Sequence, residues 1–336
     1  MRGNATVGDM NQVSGELTGI SVVLPILNEE RHLSETISAI LAQNYVGDFE
    51  VILALGPSND RTNEIAKAIA ANDSRVILVD NPTGRTANGL NAAIAKARFP
   101  VISRIDGHAE ISQSYLSQAH ELLVKTKAVN VGGIMAAVGK TRFEKAVATA
   151  MRSPLGVGSS RFHTGGEAGP ADTVYLGNFR KSELLAVGGY DERYTRAQDW
   201  ELNFRLRKAG GIIWFDPSLV VTYRPRSTFR ALAKQYFQYG TWRRAVSRNH
   251  KGSVNFRYLA PPTALVINMI SIILGVSVTP IFLIPVSIYL ASIILGSFII
   301  GKSVLEKLLL PAILATMHMV WGAGYLFSPK GLIAEE

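Results

Sequence analysis

The sequence contains no cysteine, which excludes disulfide bonds and thiolate chemistry and is compatible with a reducing compartment. It also contains neither G-x-G-x-x-G nor a P-loop, so those glycine-rich turns do not hold the phosphates of any nucleotide. The first 18 residues are polar and lack an apolar segment. We expect them to form a disordered tail that carries no signal peptide.

Charged residues are missing from two long stretches near the carboxyl end. Residues 258–301 and 308–329 contain no Asp, Glu, Lys or Arg, whereas a helix that crosses a bilayer needs roughly 20 apolar residues. Core helices of a soluble protein are the alternative, but two adjacent stretches of this length are hard to bury in so small a globule. We predict transmembrane helices over residues 259–328, as three short crossings or as two and a re-entrant hairpin. The expected helices cover about 262–278, 282–300 and 309–327.

Acidic residues are absent from residues 217–258, which hold nine Lys or Arg. Residues 1–216 hold 23 basic and 23 acidic residues, so the formal charge of +9 comes from the basic stretch that precedes the first apolar run. This distribution follows the positive-inside rule and predicts a cytoplasmic N-terminal domain anchored to the inner membrane. Anionic lipids or an anionic lipid substrate explain the basic stretch better than nucleic acid, so no nucleic-acid partner is expected.

Residues 19–222 alternate between short runs rich in Val and Ile and amphipathic helical patterns. Alternation of this kind predicts right-handed βαβ units around a parallel sheet, an α/β fold that binds ligands at the carboxyl ends of its strands. The predicted strands cover 20–24, 49–55, 76–79 and 101–105, and the predicted helices cover 29–43, 60–72 and 86–98.

Polar loops follow the first three strands, at residues 25–30, 56–62 and 81–86. Taken singly, each loop could simply cap the helix that follows it, because Asn, Ser and Asp are common N-cap residues. Taken together at one edge of a sheet, they indicate a binding site.

The fourth strand ends in Asp106-Gly107-His108. A carboxylate and an imidazole two positions apart, where a strand frays, point to the same side and can bind one ion. Phosphates and waters complete the shell of a divalent cation that bridges a diphosphate, so few protein ligands are needed. Asp106 suits Mg²⁺ or Mn²⁺, and His108 favours Mn²⁺. The alternative is a loop aspartate beside a histidine that is hydrogen-bonded within the structure.

Short motifs follow one another in a characteristic order over residues 20–258. This order resembles that of family-2 glycosyltransferases, most closely their membrane-anchored exopolysaccharide branch, the succinoglycan-type glucosyltransferases. The resemblance implies a Rossmann-like nucleotide-sugar-binding domain of the GT-A type, followed by transmembrane helices. The motifs are Pro25-x-x-Asn28-Glu29, Ser58-x-Asp60-x-Thr62, Asn81-x-x-Gly84-Arg85-x-x-Asn88, Asp106-x-His108, Gly188-Gly189-Tyr190-Asp191-Glu192 and Gln198-Asp199-Trp200-Glu201-Leu202.

The resemblance also implies roles for the loop residues. Asp106 and His108 match the family's D-x-D metal motif, with His in place of the second Asp, and Arg85 would face the pyrophosphate or base. Where the family usually has an acid that holds the base, this chain has Leu55-Gly56-Pro57. The residues expected to bind the nucleotide sugar are Pro25, Asn28, Glu29, Ser58, Asp60, Arg85 and Asp106.

Asp199 is the expected catalytic base, because it matches the second acid of the family's E-D dipeptide. Gln198 replaces the first acid and removes a charge that would tend to raise the pKa of the base. Asp199 could equally cap the following helix, and the two roles are compatible. Asp191 is expected to be structural or to face the acceptor, and Asn178 to form part of the acceptor floor. The glycine-rich residues 153–172 are expected to form a mobile flap.

Residues 223–258 are expected to contain a basic amphipathic helix on the inner membrane surface, with packing against the catalytic domain as the alternative. Gln238 to Arg243 resembles the Q-x-x-R-W element of processive synthases but differs in spacing, so processivity is not expected. The residues assigned to an acceptor or lipid diphosphate in this segment are Gln238, Trp242, Arg243 and Arg244.

The combined prediction is a membrane-anchored, metal-dependent inverting hexosyltransferase that uses Mn²⁺ or Mg²⁺. It would move a sugar from a nucleotide-diphosphate donor, a UDP-sugar, to a polyprenyl-diphosphate-linked saccharide in exopolysaccharide or cell-surface glycan synthesis. A polyprenyl-phosphate sugar synthase and a non-catalytic glycan-assembly partner are the alternatives. Besides donor and acceptor, membrane lipids are expected partners, and other glycan-assembly proteins are possible ones.

Overall fold

The computed structural model describes residues 17–333 and divides the chain into two compact units. Unit 1 comprises Met1–Met135 and Gly166–Thr222, and unit 2 comprises Ala136–Gly165 and Tyr223–Glu336. The division differs from the predicted domain of residues 19–222 in one segment, because residues 136–165 belong to unit 2. The tail predicted over residues 1–18 lies outside the described residues, except for its last two.

Nine strands form one mixed sheet. They are β1 (Ile20–Ile26), β2 (Phe49–Leu55), β3 (Val76–Asp80), β4 (Val101–Arg104), β5 (Glu110–Ile111), β6 (Asn130–Ala137), β7 (Gly169–Pro170), β8 (Tyr175–Arg180) and β9 (Ile213–Tyr223). Their order is β3-β2-β1-β4-β8-β6-β9-β5, with β7 paired to β9.

Thirteen α-helices are found among the described residues. They are α1 (Leu33–Leu41), α2 (Thr62–Asn72), α3 (Thr86–Lys96), α4 (Tyr115–Thr126), α5 (Arg142–Met151), α6 (Pro154–Val157), α7 (Arg161–Thr164), α8 (Lys181–Ala186), α9 (Gln198–Lys208), α10 (Phe229–Asn249), α11 (Phe256–Ser277), α12 (Ile284–Ile300) and α13 (Val304–Leu326). The first predicted helix begins four residues too early, because Asn28 adopts a left-handed backbone with φ of 57° and belongs to a loop.

The four strands that carry the predicted site are parallel. Val22 of β1 lies opposite Val51 of β2 on one side and Ser103 of β4 on the other. β1, β2 and β4 are buried along almost their whole length, which explains their near-continuous Val and Ile content. Because β1 to β4 run in the same direction, the loops that follow them meet at one edge of the sheet.

Three helical stretches of unit 2 are long and apolar enough to cross a membrane. They are Phe256–Ser277, Pro280–Ile300 and Val304–Leu326, of 22, 21 and 23 residues. The third begins five residues before the predicted start and includes two charged residues. Ser303 explains the early start, since its hydroxyl oxygen accepts a hydrogen bond from the Glu306 N–H at 3.2 Å and caps α13.

The basic helix α10 packs along α13 within unit 2. Two glycines allow this contact, as in many membrane helix pairs. A Cβ atom at Gly240 would lie 2.0 Å from the Trp321 carbonyl oxygen, and one at Gly324 would lie 2.1 Å from the Phe237 carbonyl oxygen. The apolar side of α10 is only partly covered, because Leu232 is buried whereas Phe229 and Tyr239 are exposed.

α6, at residues 154–157, packs onto α13 within the segment 153–172 that was predicted to be a mobile flap. The Leu155 carbonyl oxygen lies 2.8 Å from His318 Nε2, and the other ring nitrogen of His318 lies 3.2 Å from the Tyr289 hydroxyl. A Cβ atom at Gly156 would lie 2.2 Å from the Ala150 carbonyl oxygen. Glycine is needed here for close backbone approach, which a sequence alone does not distinguish from mobility.

Candidate active site

The loops after β1 and β2 are joined by reciprocal hydrogen bonds. The Asn28 N–H donates to Ser58 Oγ at 3.1 Å, and the Asn59 N–H donates to the Asn28 side-chain oxygen at 2.8 Å. The left-handed backbone of Asn28 makes this exchange geometrically feasible. Asn28 and Ser58, both expected at the nucleotide, therefore support each other at the rim of the sheet.

Asp60 is used to join these loops and to start α2. Its carboxylate accepts hydrogen bonds from the Thr62 hydroxyl, the Thr62 N–H at 3.0 Å and the Glu30 N–H at 3.2 Å. Hydrogen bonds from Thr62, above all from its hydroxyl, lower the pKa of Asp60. The structure thus shows a structural role for Asp60, and its contact with the nucleotide stays a prediction.

The turn that carries Arg85 lies at the same edge, at the start of α3. Gly84 has a φ of 63°, and the Asn81 side-chain amide donates to the Arg85 carbonyl oxygen at 3.1 Å. Arg85 itself is exposed. Gly89 lets α3 approach β1, since a Cβ atom there would lie 3.2 Å from Pro25 Cβ.

Asp106 and His108 follow β4, and Glu29 reaches them from the first loop. His108 Nδ1 lies 2.8 Å from Glu29 Oε1. When Nδ1–H donates to this carboxylate, the neutral ring carries its lone pair on Nε2, which is the usual arrangement of a metal-binding histidine. A Cβ atom at Gly107 would lie 3.0 Å from Glu29 Cγ, so glycine at this position allows Glu29 to approach.

The donor atoms of this loop fit a divalent cation that also binds phosphate. Among residues 17–333, no group of three or more His, Cys, Asp and Glu side chains is arranged to hold a metal ion. Asp106 and His108 could supply two ligands, and Mg²⁺ or Mn²⁺ at a diphosphate takes its remaining ligands from phosphate and water. The pair therefore suits an ion that arrives with a nucleotide.

Arg104, which the sequence analysis passed over, connects the two acidic residues of the site. Its Nε and Nη2 each lie 3.1 Å from Asp106 Oδ1, and its Nη1 donates to Asp199 Oδ1. Its side chain is 5% exposed. The signal was present in the sequence: an arginine inside a buried apolar strand requires anionic partners, because an unpaired buried charge is very unfavourable.

Asp199, the candidate base, is the second residue of α9 and pairs with Arg104. Burial raises its pKa, the Arg104 guanidinium opposes that rise, and the negative charge of Asp106 adds to it, so that the pKa lies above the ordinary value. A carboxylate with a raised pKa binds a proton more strongly and is a better general base at neutral pH.

The Gly188-Gly189-Tyr190-Asp191-Glu192 loop is fixed from two sides. Asn91 exchanges two hydrogen bonds with the Tyr190 backbone, at 2.9 and 2.8 Å, and Arg205 donates to the Gly189 carbonyl oxygen at 2.8 Å. The Tyr190 ring is held with its centroid 5.9 Å from Arg104 Cζ. Asp191 forms a bidentate pair with Arg193 at 3.0 and 2.8 Å, which favours the structural of its two predicted roles.

Asn178 does not lie on an acceptor floor, because it is completely buried in the sheet. β8 runs between β4 and β6, and the Asn178 side chain bonds to both neighbours. Its oxygen accepts from the Ser103 hydroxyl at 2.6 Å, and its nitrogen donates to the Val131 carbonyl oxygen at 3.2 Å. The assignment to the acceptor was wrong because the sequence did not show that β8 is an inner strand.

The acceptor residues predicted in unit 2 lie on α10. Trp242 is buried, Gln238 is half-buried, and Arg244 Nη1 lies 3.3 Å from the Tyr325 hydroxyl. The Arg243 guanidinium lies over the Tyr258 ring, 4.3 Å from its centroid. The helix therefore carries several cations that are held by aromatic side chains.

Known proteins match this chain over most of its length. The model of glycosyl transferase family 2 matches residues 21–178. The succinoglycan biosynthesis protein ExoA of Rhizobium meliloti (strain 1021) is 35% identical over 252 residues, which cover 74% of this chain and 76% of ExoA. The chain belongs to glycosyl transferase family 2. It is a glycosyltransferase of exopolysaccharide or glycan synthesis, as the sequence motifs predicted.

Another curated relative comes from Methanococcus voltae. It is named dolichyl N-acetyl-alpha-D-glucosaminyl phosphate 3-beta-D-2,3-diacetamido-2,3-dideoxy-beta-D-glucuronosyltransferase. It is 26% identical over 255 residues, which cover 72% of this chain and 77% of the relative.

Solved structures support the fold. The mannosyltransferase PcManGT from Pyrobaculum calidifontis, solved with GDP-Man and Mn²⁺, has a TM-score of 0.65 and 16% identity and covers 92% of this chain and 87% of its own. Residues 1–349 of TarS from S. aureus, solved with UDP-GlcNAc, have a TM-score of 0.52 and 14% identity and cover 92% of this chain and 90% of their own. The family-2 glycosyltransferase described here thus has a GT-A-like mixed-sheet domain and three apolar helices that could span a membrane.

Proposed function

We propose that this glycosyltransferase is an inverting, metal-dependent hexosyltransferase that moves a sugar from a UDP-sugar to a polyprenyl-diphosphate-linked saccharide at the cytoplasmic face of the inner membrane. The observation that carries the proposal is the Arg104 guanidinium, which bonds to both Asp106 and Asp199. It places a candidate base beside a candidate metal ligand, as a transfer between a diphosphate donor and a hydroxyl acceptor requires.

Asp199 would receive the proton of the acceptor hydroxyl. As that proton leaves, the acceptor oxygen forms a bond to the anomeric carbon, and the bond from this carbon to the diphosphate oxygen breaks. One displacement of this kind inverts the configuration at the anomeric carbon. The raised pKa of Asp199 supports this role as the base. The hydrogen bond from Arg104 keeps the Asp199 carboxylate oriented.

Asp106 and His108 would hold the metal ion, and Glu29 would fix the imidazole of His108. When bound, Mn²⁺ or Mg²⁺ supplies positive charge to the departing diphosphate. Asn28, Ser58 and Arg85 lie at the loops of the same sheet edge and would bind the nucleotide part of the donor.

Unit 2 supports a lipid-linked acceptor. The name of the Methanococcus voltae relative specifies a dolichyl-linked sugar phosphate, and that of ExoA specifies succinoglycan biosynthesis. Unit 2 combines the three apolar helices with 17 Lys and Arg against four acids. This composition suits a surface that meets the phosphates of a membrane lipid.

The proposal can be tested with the detergent-solubilised full chain and a panel of UDP- and GDP-sugars. Polyprenyl-diphosphate-linked saccharides serve as acceptors, with Mn²⁺, Mg²⁺ or a chelator present. We expect metal-dependent turnover of one UDP-sugar, its loss in Asp106→Ala, and unchanged turnover in Asp48→Ala, which removes an exposed acid elsewhere in unit 1.

Other results would contradict specific parts of the proposal. Full turnover in the presence of the chelator would exclude metal dependence, and turnover of a GDP-sugar alone would exclude the UDP donor. Transfer to bare polyprenyl phosphate alone would identify a polyprenyl-phosphate sugar synthase. Absence of both turnover and nucleotide binding would identify a non-catalytic member of the family.

A further inference from the structure

Two guanidinium groups of unit 2 are held against one tyrosine ring. Arg243 Cζ lies 4.3 Å and Arg257 Cζ 4.8 Å from the centroid of Tyr258. Arg257 Nη2 also donates to the Tyr258 hydroxyl oxygen at 2.6 Å. Tyr258 is only 8% exposed, so its ring is a fixed support for both cations.

The half-buried imidazole of His163 lies within the electrostatic field of Arg257. Burial and, after it, the positive charge of Arg257 together lower the pKa of His163 to about 3. His163 is therefore neutral at pH 7. Its Nδ1 is buried and has no hydrogen-bond partner among the described residues, although its ring lies tilted against Phe162 with the two centroids 4.3 Å apart. A buried nitrogen of this kind is rare unless a ligand or water completes its hydrogen bonding.

Acids of unit 2 are engaged elsewhere. Among its described residues the carboxylates belong to Glu144 and Glu306. Glu144 accepts from the Thr141 N–H at 2.9 Å in a capping box, and Glu306 accepts from the Lys302 N–H at 3.0 Å. The described part of unit 2 therefore carries far more positive than negative charge, and this balance favours the binding of an anion.

The position of the cluster along the chain indicates where such an anion would come from. Arg257 and Tyr258 are the second and third residues of α11, and the stretch without charged residues begins at residue 258. The ends of a membrane-spanning helix lie at the depth of the lipid headgroups. A ligand at this depth is presented most directly by a lipid.

We propose that Arg243 and Arg257, both held against the Tyr258 ring, form together with His163 a binding site for the diphosphate headgroup of a polyprenyl lipid. Guanidinium groups bind phosphate oxygens through paired N–H donors, and a neutral imidazole adds one N–H without further repulsion between cations. The site names the part of the acceptor that unit 2 recognises, and to this extent it rests on the proposed function. It adds His163, Arg257 and Tyr258 to the residues that the sequence assigned to the acceptor.

The test measures the Kd of polyprenyl diphosphate in nanodiscs that contain the full chain. We expect Arg243→Gln and Arg257→Gln each to weaken binding at least tenfold, and His163→Phe, which keeps an aromatic ring beside Phe162, to weaken it several-fold. Lys251→Gln is the matched control, because it removes one exposed positive charge from the loop between α10 and α11. It should change the Kd by less than twofold.

A Kd of the lipid that is the same in all four variants as in the wild-type chain would overturn the proposal. A loss of binding in Lys251→Gln as large as in the arginine variants would also overturn it, because it would indicate general attraction to charge. Inorganic pyrophosphate is the second probe. Arginine-dependent binding of pyrophosphate without binding of the lipid would overturn the lipid assignment. If Arg257→Gln lowers the melting temperature, Arg257→Lys retains the charge without the paired donors, and its binding should also be weakened.

Hydrolysis of the nucleotide sugar without acceptor separates this proposal from the previous one. Lost lipid binding with intact donor hydrolysis in Arg257→Gln is the expected pattern. A wild-type chain that binds the lipid through Arg257 but hydrolyses and transfers no donor would retain the lipid site and refute the proposed function. If the chain turns over the donor and binds the lipid equally well without these residues, the proposed function would be retained and the lipid site refuted.

Discussion

The two units differ most in how they use charge. Unit 1 holds 18 basic and 22 acidic residues, whereas unit 2 holds 17 basic and four acidic ones. In unit 1 the important acids are paired at short range, as in the bonds of Arg104 to Asp106 and Asp199. In unit 2 several cations lie over aromatic rings, as Arg243 does over Tyr258. Carboxylates suit the binding of a cation and a proton, and excess guanidinium suits the binding of an anion, so the difference supports the proposals of chemistry in unit 1 and anion recognition in unit 2.

The largest effect should come from removing the candidate base of unit 1. Asp199→Asn should lower the transfer rate by about 10³-fold, within the usual range for general acid–base catalysis, while nucleotide binding stays intact. Steady-state kinetics and a nucleotide-binding titration measure the two effects. Asp216→Asn, which changes an acid in β9, is the control and should be close to wild type. Near-normal transfer by Asp199→Asn would move the base to another residue.

Substitution of Arg104 tests whether the pairing of its charge with Asp106 and Asp199 is essential for activity. Arg104→Met should lower kcat by roughly 10²-fold, because two carboxylates then lose their shared partner, and breaking a buried pair typically costs about 3–5 kcal/mol. The base works only when deprotonated, so activity falls as the pH falls through the pKa of Asp199. Because the guanidinium lowers that pKa, the acidic limb of the pH–rate profile should move to higher pH in the variant.

An unchanged acidic limb in Arg104→Met would show that Asp199 is not the titrating base. Arg104→Lys keeps one charge but cannot bond to both carboxylates in the same way, and it should fall between wild type and Arg104→Met. Thermal unfolding of both variants separates loss of the fold from loss of chemistry.

Substitution of Glu29 tests whether this carboxylate orients His108, the proposed metal ligand. Glu29→Gln should weaken Mn²⁺ binding about 10–100-fold in the presence of nucleotide, because carboxylates that orient a ligating histidine have effects of this size. Electron paramagnetic resonance of Mn²⁺ gives the affinity directly. Glu35→Gln, at an exposed position of α1, should leave the affinity unchanged. Equal affinity in Glu29→Gln would show that its bond to His108 has no role in metal binding.

The smallest effect concerns the helix pair of unit 2. Gly240→Ala places a methyl group 2.0 Å from the Trp321 carbonyl oxygen and should destabilise unit 2 by about 1–3 kcal/mol, the usual cost of overpacking. A lower melting temperature in detergent measures the loss. Gly331→Ala is the control, since no atom lies within 4 Å of the added Cβ. A melting temperature of Gly240→Ala equal to that of the wild-type chain would show that α10 and α13 can move apart without loss of stability.

Much of unit 1 could be predicted because its signals are local. The Val and Ile runs marked β1 to β4, and the parallel order of these strands placed their loops at one edge. Arg104 escaped notice because its second partner, Asp199, is 95 residues away and becomes a neighbour only through the fold. Asn178 was misplaced for a related reason, since the sequence does not reveal that β8 is an inner strand.

Unit 2 was predictable in composition and less so in packing. The absence of charge marked the apolar helices, but periodicity alone does not say whether an apolar face meets lipid or another helix. The close contacts at Gly240 and Gly324 show that one face of α10 meets another helix, α13. Gly156 likewise marked a tight approach of α6, where a high glycine content had suggested mobility.

The bond between Arg104 and Asp199 also has a consequence for folding. β4 precedes α9 by about a hundred residues, and residues 136–165 of unit 2 lie between them in the chain. Until α9 docks, Asp106 has no Asp199 beside it, so an incompletely folded chain would hold only half of the proposed reaction centre. Under the proposed mechanism, nucleotide sugars would therefore meet a complete site only after α9 has docked.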